Sequence, residues 1–202
     1  MTLIKWLVKC RVCTAGHAVH ILPIRQPVIG ITALNNTIYV LRKKREDAIE
    51  VYDDTTYQLE RFITVPNSTM YGLVDIVSCD EYRCLYVADS PDKCVHRLDL
   101  ENHDTRWEVD DELSSLSVNP DHNVLVTCRA AGKIKEFSSY GELLREVVLA
   151  FEVVNPLHAV QLRSGELVVC HGHPADDVHR VCMMTVDGTE VRITFFTMMF
   201  FI

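Results

Sequence analysis

LYVADSPDKCVHRLDL, residues 85–100, sets an apolar run against a short polar turn and then a second apolar run. Runs this short, rich in Val, Leu and Tyr and punctuated by Asp, Ser and Pro, read as strands, so the stretch reads as a hairpin. Its first half recurs. Ile38-Tyr39-Val40-Leu41-Arg42 matches Leu85-Tyr86-Val87-Ala88-Asp89, and both match Leu125-Val126-Thr127-Cys128-Arg129 and Leu167-Val168-Val169-Cys170-His171. The second half recurs as well, at residues 49–52, 95–98, 134–137 and 178–181. An apolar stretch precedes each pair (GITAL 30–34, GLVDIV 72–77, LSSLSV 113–118, LHAVQL 157–162). A fourth short strand follows each (LERFIT 59–64, TRWEV 105–109, LLREVV 143–148, EVRI 190–193).

Four strands per unit of roughly forty residues is the signature of a β-propeller blade. A single blade has two apolar faces and must stack both on neighbours, which is why such units repeat. Helical solenoids share the period but need longer segments with helical periodicity, and few uninterrupted segments here are long enough. The expected fold is therefore all-β, a propeller of about four antiparallel four-stranded blades. The chain divides into a lead-in segment over 1–27, blades over about 28–67, 68–110, 111–153 and 154–193, and an apolar tail over 194–202.

Within propellers, Leu85-Tyr86-Val87-Ala88-Asp89 followed by Val95, Leu98 and Asp99 resembles an NHL repeat. The resemblance covers about residues 28–193 and is strongest in the second blade; elsewhere Arg42, Arg129 or His171 stands at the Asp position. The whole pattern resembles the propeller region of invertebrate NHL-repeat proteins related to the TRIM family. That resemblance implies six blades, so four imply an incomplete, open ring. The tail TFFTMMFFI, with neither turn signal nor strand alternation, points the same way. An open ring leaves apolar blade faces uncovered, and self-association is the expected consequence.

Composition narrows the partners. Hydrophobic content of 48% with only 8 Gly and 7 Pro suits a packed core rather than disorder. A net charge of −8 argues against broad attraction to nucleic acid or an anionic membrane. Lys5, Lys9 and Arg11 interrupt what a secretory leader keeps uncharged, and no run reaches the ~20 apolar residues of a membrane helix. The expectation is a cytoplasmic chain whose eight cysteines are reduced.

Several clusters carry residues capable of chemistry. Cys10, Cys13, His17 and His20 are zinc-ligand types, but the interval between Cys13 and His17 is too short for a standard finger, so they read as lead-in residues. Cys128 and Cys170 share the repeat column of Leu41 and Ala88, an interior position where Cys acts as a small hydrophobe. Cys79 and Cys84 flank a turn and are expected as thiols. His171 and His173, with His158 nearby, could gather a metal, as in some six-bladed lyases. That site needs ligands from several blades, and the other blades offer Arg42, Asp89 and Arg129. Arg42-Lys43-Lys44-Arg45 is a basic run in a hairpin loop, half neutralised by Glu46 and Asp47 and without interleaved aromatics for base stacking. No nucleophile elbow, phosphate loop or HExxH motif is present, so neither a catalytic residue, a cofactor nor a metal is expected.

Loops between the second and third strands emerge on one face with those joining consecutive blades. That face is the expected binding surface, carrying Arg42, Lys43, Lys44, Arg45, Asp89, Asp92, Lys93, Arg129, Lys133, His171 and His173. The sequence thus points to a non-catalytic scaffold for a protein or peptide. The family resemblance implies the substrate-recognition part of a ubiquitin-ligase-like protein, here without a RING. An RNA-binding propeller is the alternative, and a metal-dependent hydrolase or lyase a further one.

Overall fold

The computed structural model describes residues 27–43, 48–68, 72–99, 104–172, 180–187 and, for the backbone alone, 191–194. These residues form sixteen strands in four antiparallel four-stranded sheets, each pairing its strands in sequence order. The first holds β1 (Val28–Leu34), β2 (Thr37–Arg42), β3 (Ala48–Asp53) and β4 (Leu59–Thr64). The second holds β5 (Leu73–Cys79), β6 (Cys84–Asp89), β7 (Cys94–Asp99) and β8 (Thr105–Glu108). The third holds β9 (Leu113–Val118), β10 (Val124–Cys128), β11 (Lys133–Phe137) and β12 (Leu143–Val148). The fourth holds β13 (Pro156–Gln161), β14 (Leu167–His171), β15 (Arg180–Met184) and β16 (Val191–Thr194).

The sheets stack face to face like blades. β1, β5, β9 and β13 lie side by side along the inner edge, whereas among the described residues no packing of similar extent joins β13 to β1. Three apolar layers fill the joints. Tyr39, Leu41, Ile49 and Val51 meet Leu85, Val87 and Leu98 between blades one and two. Tyr86, Ala88 and Val95 meet Val124, Val126 and Phe137 between blades two and three. Leu125, Ile134 and Val147 meet Leu167, Val169 and Cys182 between blades three and four. The second strand of each blade is buried on both faces, which is why β6 and β10 are closed to solvent along their whole length. The fourth strands form the rim, and β4 is exposed along nearly all of its length.

One irregularity repeats in every blade. The innermost ladder carries a bulge between Val28 and Gly30, between Leu73 and Asp75, opposite Thr127 and Cys128, and between Pro156 and His158. A bulge raises local twist and re-aims the residues that follow it. Here it brings Gly30, Asp75, Ser115 and His158 into equivalent places opposite Leu41, Ala88, Thr127 and Cys170.

No helix among the described residues is long and apolar enough to cross a membrane.

Candidate functional site

The bulged register lines up the second strands in a way the sequence pattern missed in blade three. Arg42, Asp89 and His171 pair with Val28, Leu73 and Pro156, and the residue in that place in blade three is Cys128, paired with Leu113. Cys128 therefore belongs to the Arg42 column and not to the Leu41 column, and Arg129 lies one position further, in the turn. The cause is the continuous burial of these strands: without polar alternation, a shift of one residue leaves the apolar pattern unchanged. Beside this column stand Val40, Val87, Val126 and Val169, whose partners on the third strands are Glu50, His96, Lys135 and Cys182. Where apolar packing defines it, this face looks toward the preceding blade.

A buried polar cluster therefore forms at the same place in each blade, with different chemistry each time. In blade one, Glu50 accepts from Arg42 Nε at 2.7 Å and from the Tyr52 hydroxyl at 2.8 Å. Burial opposes the Arg42 charge, but the Glu50 carboxylate outweighs it and holds the guanidinium pKa above its ordinary value. In blade three, the buried Lys135 donates to the Val109 carbonyl at 2.6 Å and meets Asp111 at 2.7 Å. Burial again works against the charge, and the Asp111 bond again reverses the sign.

Blade two holds Asp89, Cys94 and His96, all buried. His96 Nε2 lies 3.6 Å from Asp89 Oδ2 and 3.5 Å from Cys94 Sγ. Burial lowers the His96 pKa against the pull of Asp89, so the ring is neutral near pH 7. Burial and the Asp89 charge push the Cys94 thiol up to about 11. In blade four, His171 is 1% exposed, and among the described residues neither ring nitrogen makes a hydrogen bond within 3.5 Å. Burial, then the neighbouring Arg180 charge, lower its pKa.

These positions correct the expected binding face at three residues: Arg42, Asp89 and His171 are interior groups. Charged residues carry a prior for solvent, but Arg42 and Asp89 meet Glu50 and His96 on the facing strands of their own hairpins, and His171 is buried at 1% exposure. Lys43 and Lys93 are exposed, while Asp92, Arg129 and Lys133 are half-buried. Asp92 lies 3.7 Å from Arg106, and Lys133 pairs with Glu146 at 2.8 Å. Lys44, Arg45, His173, Cys10, Cys13, His17 and His20 lie outside the described residues. His158 meets Ser115 across the blade joint at 3.0 Å through Nδ1. Cys79 and Cys84 face each other as free, buried thiols.

The inner strands use their other polar groups to join blades. Asp75 accepts from the Ile76 and Leu116 backbone amides, each at 2.9 Å, the second across a blade joint. Ser78 donates to Ala33 O, and Ser117 to Ala159 O. On the opposite face, a cleft of about 570 Å³ between blades three and four is lined by Glu136, Arg145, Gln161 and Glu166. Its polar groups already bind one another: Asn119 donates to Glu136 and Gln161, and Arg145 pairs with Glu136.

What sequence reasoning missed is a set of exposed apolar residues on the face where the loops between second and third strands emerge. Val148 ends β12, and Phe151 and Val154 follow in the loop to β13; all three are exposed, Phe151 at 88%. The signal was available, since FEVVN sets large apolar residues in the loop leading to β13, where the loop leading to β9 places Asp110, Asp111 and Glu112.

Four antiparallel four-stranded sheets with adjacent inner strands make this chain a β-propeller segment. Known structures agree. Hydrazine synthase from Kuenenia stuttgartiensis superposes with a TM-score of 0.68 at 14% identity, over 88% of this chain and 52% of that one. Virginiamycin B lyase from Staphylococcus aureus, in a catalytically inactive form with quinupristin, gives 0.66 at 11% identity, over 88% and 58%. The C-terminal WD40 domain of Sif2 gives 0.59 at 11% identity, over 85% and 47%. The chain spans about half the length of these proteins. No protein-family model matches the sequence, and no curated protein matches it either.

Proposed function

We propose that this chain is a non-catalytic, protein-binding propeller segment of NHL type, which recruits a partner through the face bearing the loops between second and third strands. The observation that carries this reading is the exposed apolar group Val148, Phe151 and Val154 on that face. Large apolar side chains exposed at a strand end and in the loop that follows it are a usual mark of a protein interface. Lys93, Asp92 and Arg129 supply a polar rim of mixed sign on neighbouring blades.

The interior supports the non-catalytic part. Asp75 and Ser117 hydrogen-bond across the joints, His158 meets Ser115, and Glu50 and Lys135 are held in ion pairs. A catalytic set needs such groups to converge on open space.

Quantitative affinity capture from cells with the whole chain and its Phe151→Ser/Val154→Ser variant tests the reading. A defined set of proteins lost by the variant, with thermal stability unchanged, is the expected result. Identical capture by both chains would refute it.

A further inference from the structure

We propose that Asp89, Cys94 and His96 form a binding site for a zinc-class transition metal at the joint between blades one and two. Three observations converge on it.

The first is geometry. A tetrahedral zinc centre sets its thiolate sulfur and imidazole nitrogen about 3.5–3.6 Å apart, and its imidazole nitrogen and carboxylate oxygen about 3.3–3.5 Å apart. Cys94 Sγ and His96 Nε2 are 3.5 Å apart, and His96 Nε2 and Asp89 Oδ2 are 3.6 Å apart. The ligand atoms of all three lie within 4.8 Å of one another, close enough for one ion between them to reach all three.

The second is charge. Asp89 brings one carboxylate beside the Cys94 thiol and the His96 imidazole. A divalent cation held by one carboxylate, one thiolate and one neutral imidazole makes the cluster electrically neutral. The third is donor chemistry. Sulfur, nitrogen and oxygen together select zinc or its soft neighbours over magnesium and calcium, which take oxygen alone.

Binding requires one proton to leave Cys94 for solvent, so affinity rises with pH. Because all three donors are buried, the ion enters as the blades assemble and ties β6 to β7.

The test uses the whole chain in a Cys10→Ser/Cys13→Ser background, which removes the other cysteine-rich segment. After refolding with zinc or cobalt, the expected result is one metal per chain and a thiolate-to-cobalt charge-transfer band. Both should disappear in Cys94→Ser and His96→Gln and persist in Cys170→Ser, a buried thiol in blade four. X-ray absorption of the zinc-loaded background chain should find a single sulfur neighbour with nitrogen and oxygen around it, a readout that needs no further variant to fold. A metal-free chain, a metal retained by folded Cys94→Ser, or a shell with no sulfur or several would overturn the assignment.

Discussion

Replacing Asp75 tests whether the inner strands are joined through side chains. Asp75 is 0% exposed, and its two carboxylate oxygens take the amides of Ile76, in its own strand, and Leu116, in the next blade. In Asp75→Ala the Leu116 amide is left buried without this acceptor, and an orphaned buried donor costs about 1–3 kcal/mol. The Ile76 amide loses its Asp75 contact too, and removal of a buried carboxylate offsets part of the sum, so about 2–4 kcal/mol is the expected loss. Asp75→Asn keeps the shape and one acceptor oxygen, so its loss should be smaller, about 1–3 kcal/mol. Equilibrium urea unfolding followed through Trp107, which packs by Tyr86 and Phe137 at the same joint, reads the difference. With a denaturant slope of about 2 kcal/mol per molar, Asp75→Ala should move the midpoint by about 1–2 M. A shift under about 0.3 M at unchanged slope, or a larger loss in Asn than in Ala, would refute the reasoning.

Other perturbations probe neighbouring parts. A Cβ on Gly30 would lie 2.8 Å from Ile76 Cγ2 and 3.1 Å from its backbone nitrogen, so Gly30→Ala should destabilise by about 1–3 kcal/mol in the same assay. Gly141 has φ +91° and would drive a Cβ to 2.6 Å from the Trp107 ring; Gly141→Ala should cost a similar amount and alter Trp107 fluorescence. Lys135→Met keeps the apolar stem but leaves the Val109 carbonyl without its lysine, and thermal unfolding should report a loss of about 1–3 kcal/mol. His96 and His171 both have folded pKa values below the unfolded one, so the unfolded chain binds more protons as pH falls. Stability of the metal-free chain should therefore be full above about pH 6.5 and fall below it, by up to about 1.4 kcal/mol per pH unit for each histidine. His171→Leu should flatten that slope in melting curves taken between neutral and mildly acidic pH.

The strands were legible because each is short, apolar and bounded by turn residues: LERFIT, LSSLSV and LLREVV are β4, β9 and β12 residue for residue. Register was less legible. Leu125-Val126-Thr127-Cys128 resembles the repeat closely enough to be read one residue out, because a strand buried on both faces has no polar phase to fix it. Bulges opposite such strands lie in the partner ladder and leave little trace in local pattern. Buried ions were illegible for a different reason. Arg42 looks like the first residue of a basic loop until Glu50, eight positions on, is placed across the hairpin from it. Facing opposite charges on either side of a turn were the available signal. Phe151 was illegible because a lone apolar residue in a loop carries no chemical motif, whereas an interface announces itself by apolar exposure.

The third-strand column Glu50, His96, Lys135, Cys182 has a consequence for assembly. Blades of one repeated design are liable to dock out of order during folding, since their apolar surfaces are alike. Here the column carries a different polar group in each blade, and Lys135 finds Asp111 and the Val109 carbonyl on the segment that joins blades two and three. A third blade docked away from that segment buries its lysine without the counter-charge. The column acts as an address written inside the fold, and exchanging Glu50 and Lys135 would scramble it while leaving composition and net charge unchanged.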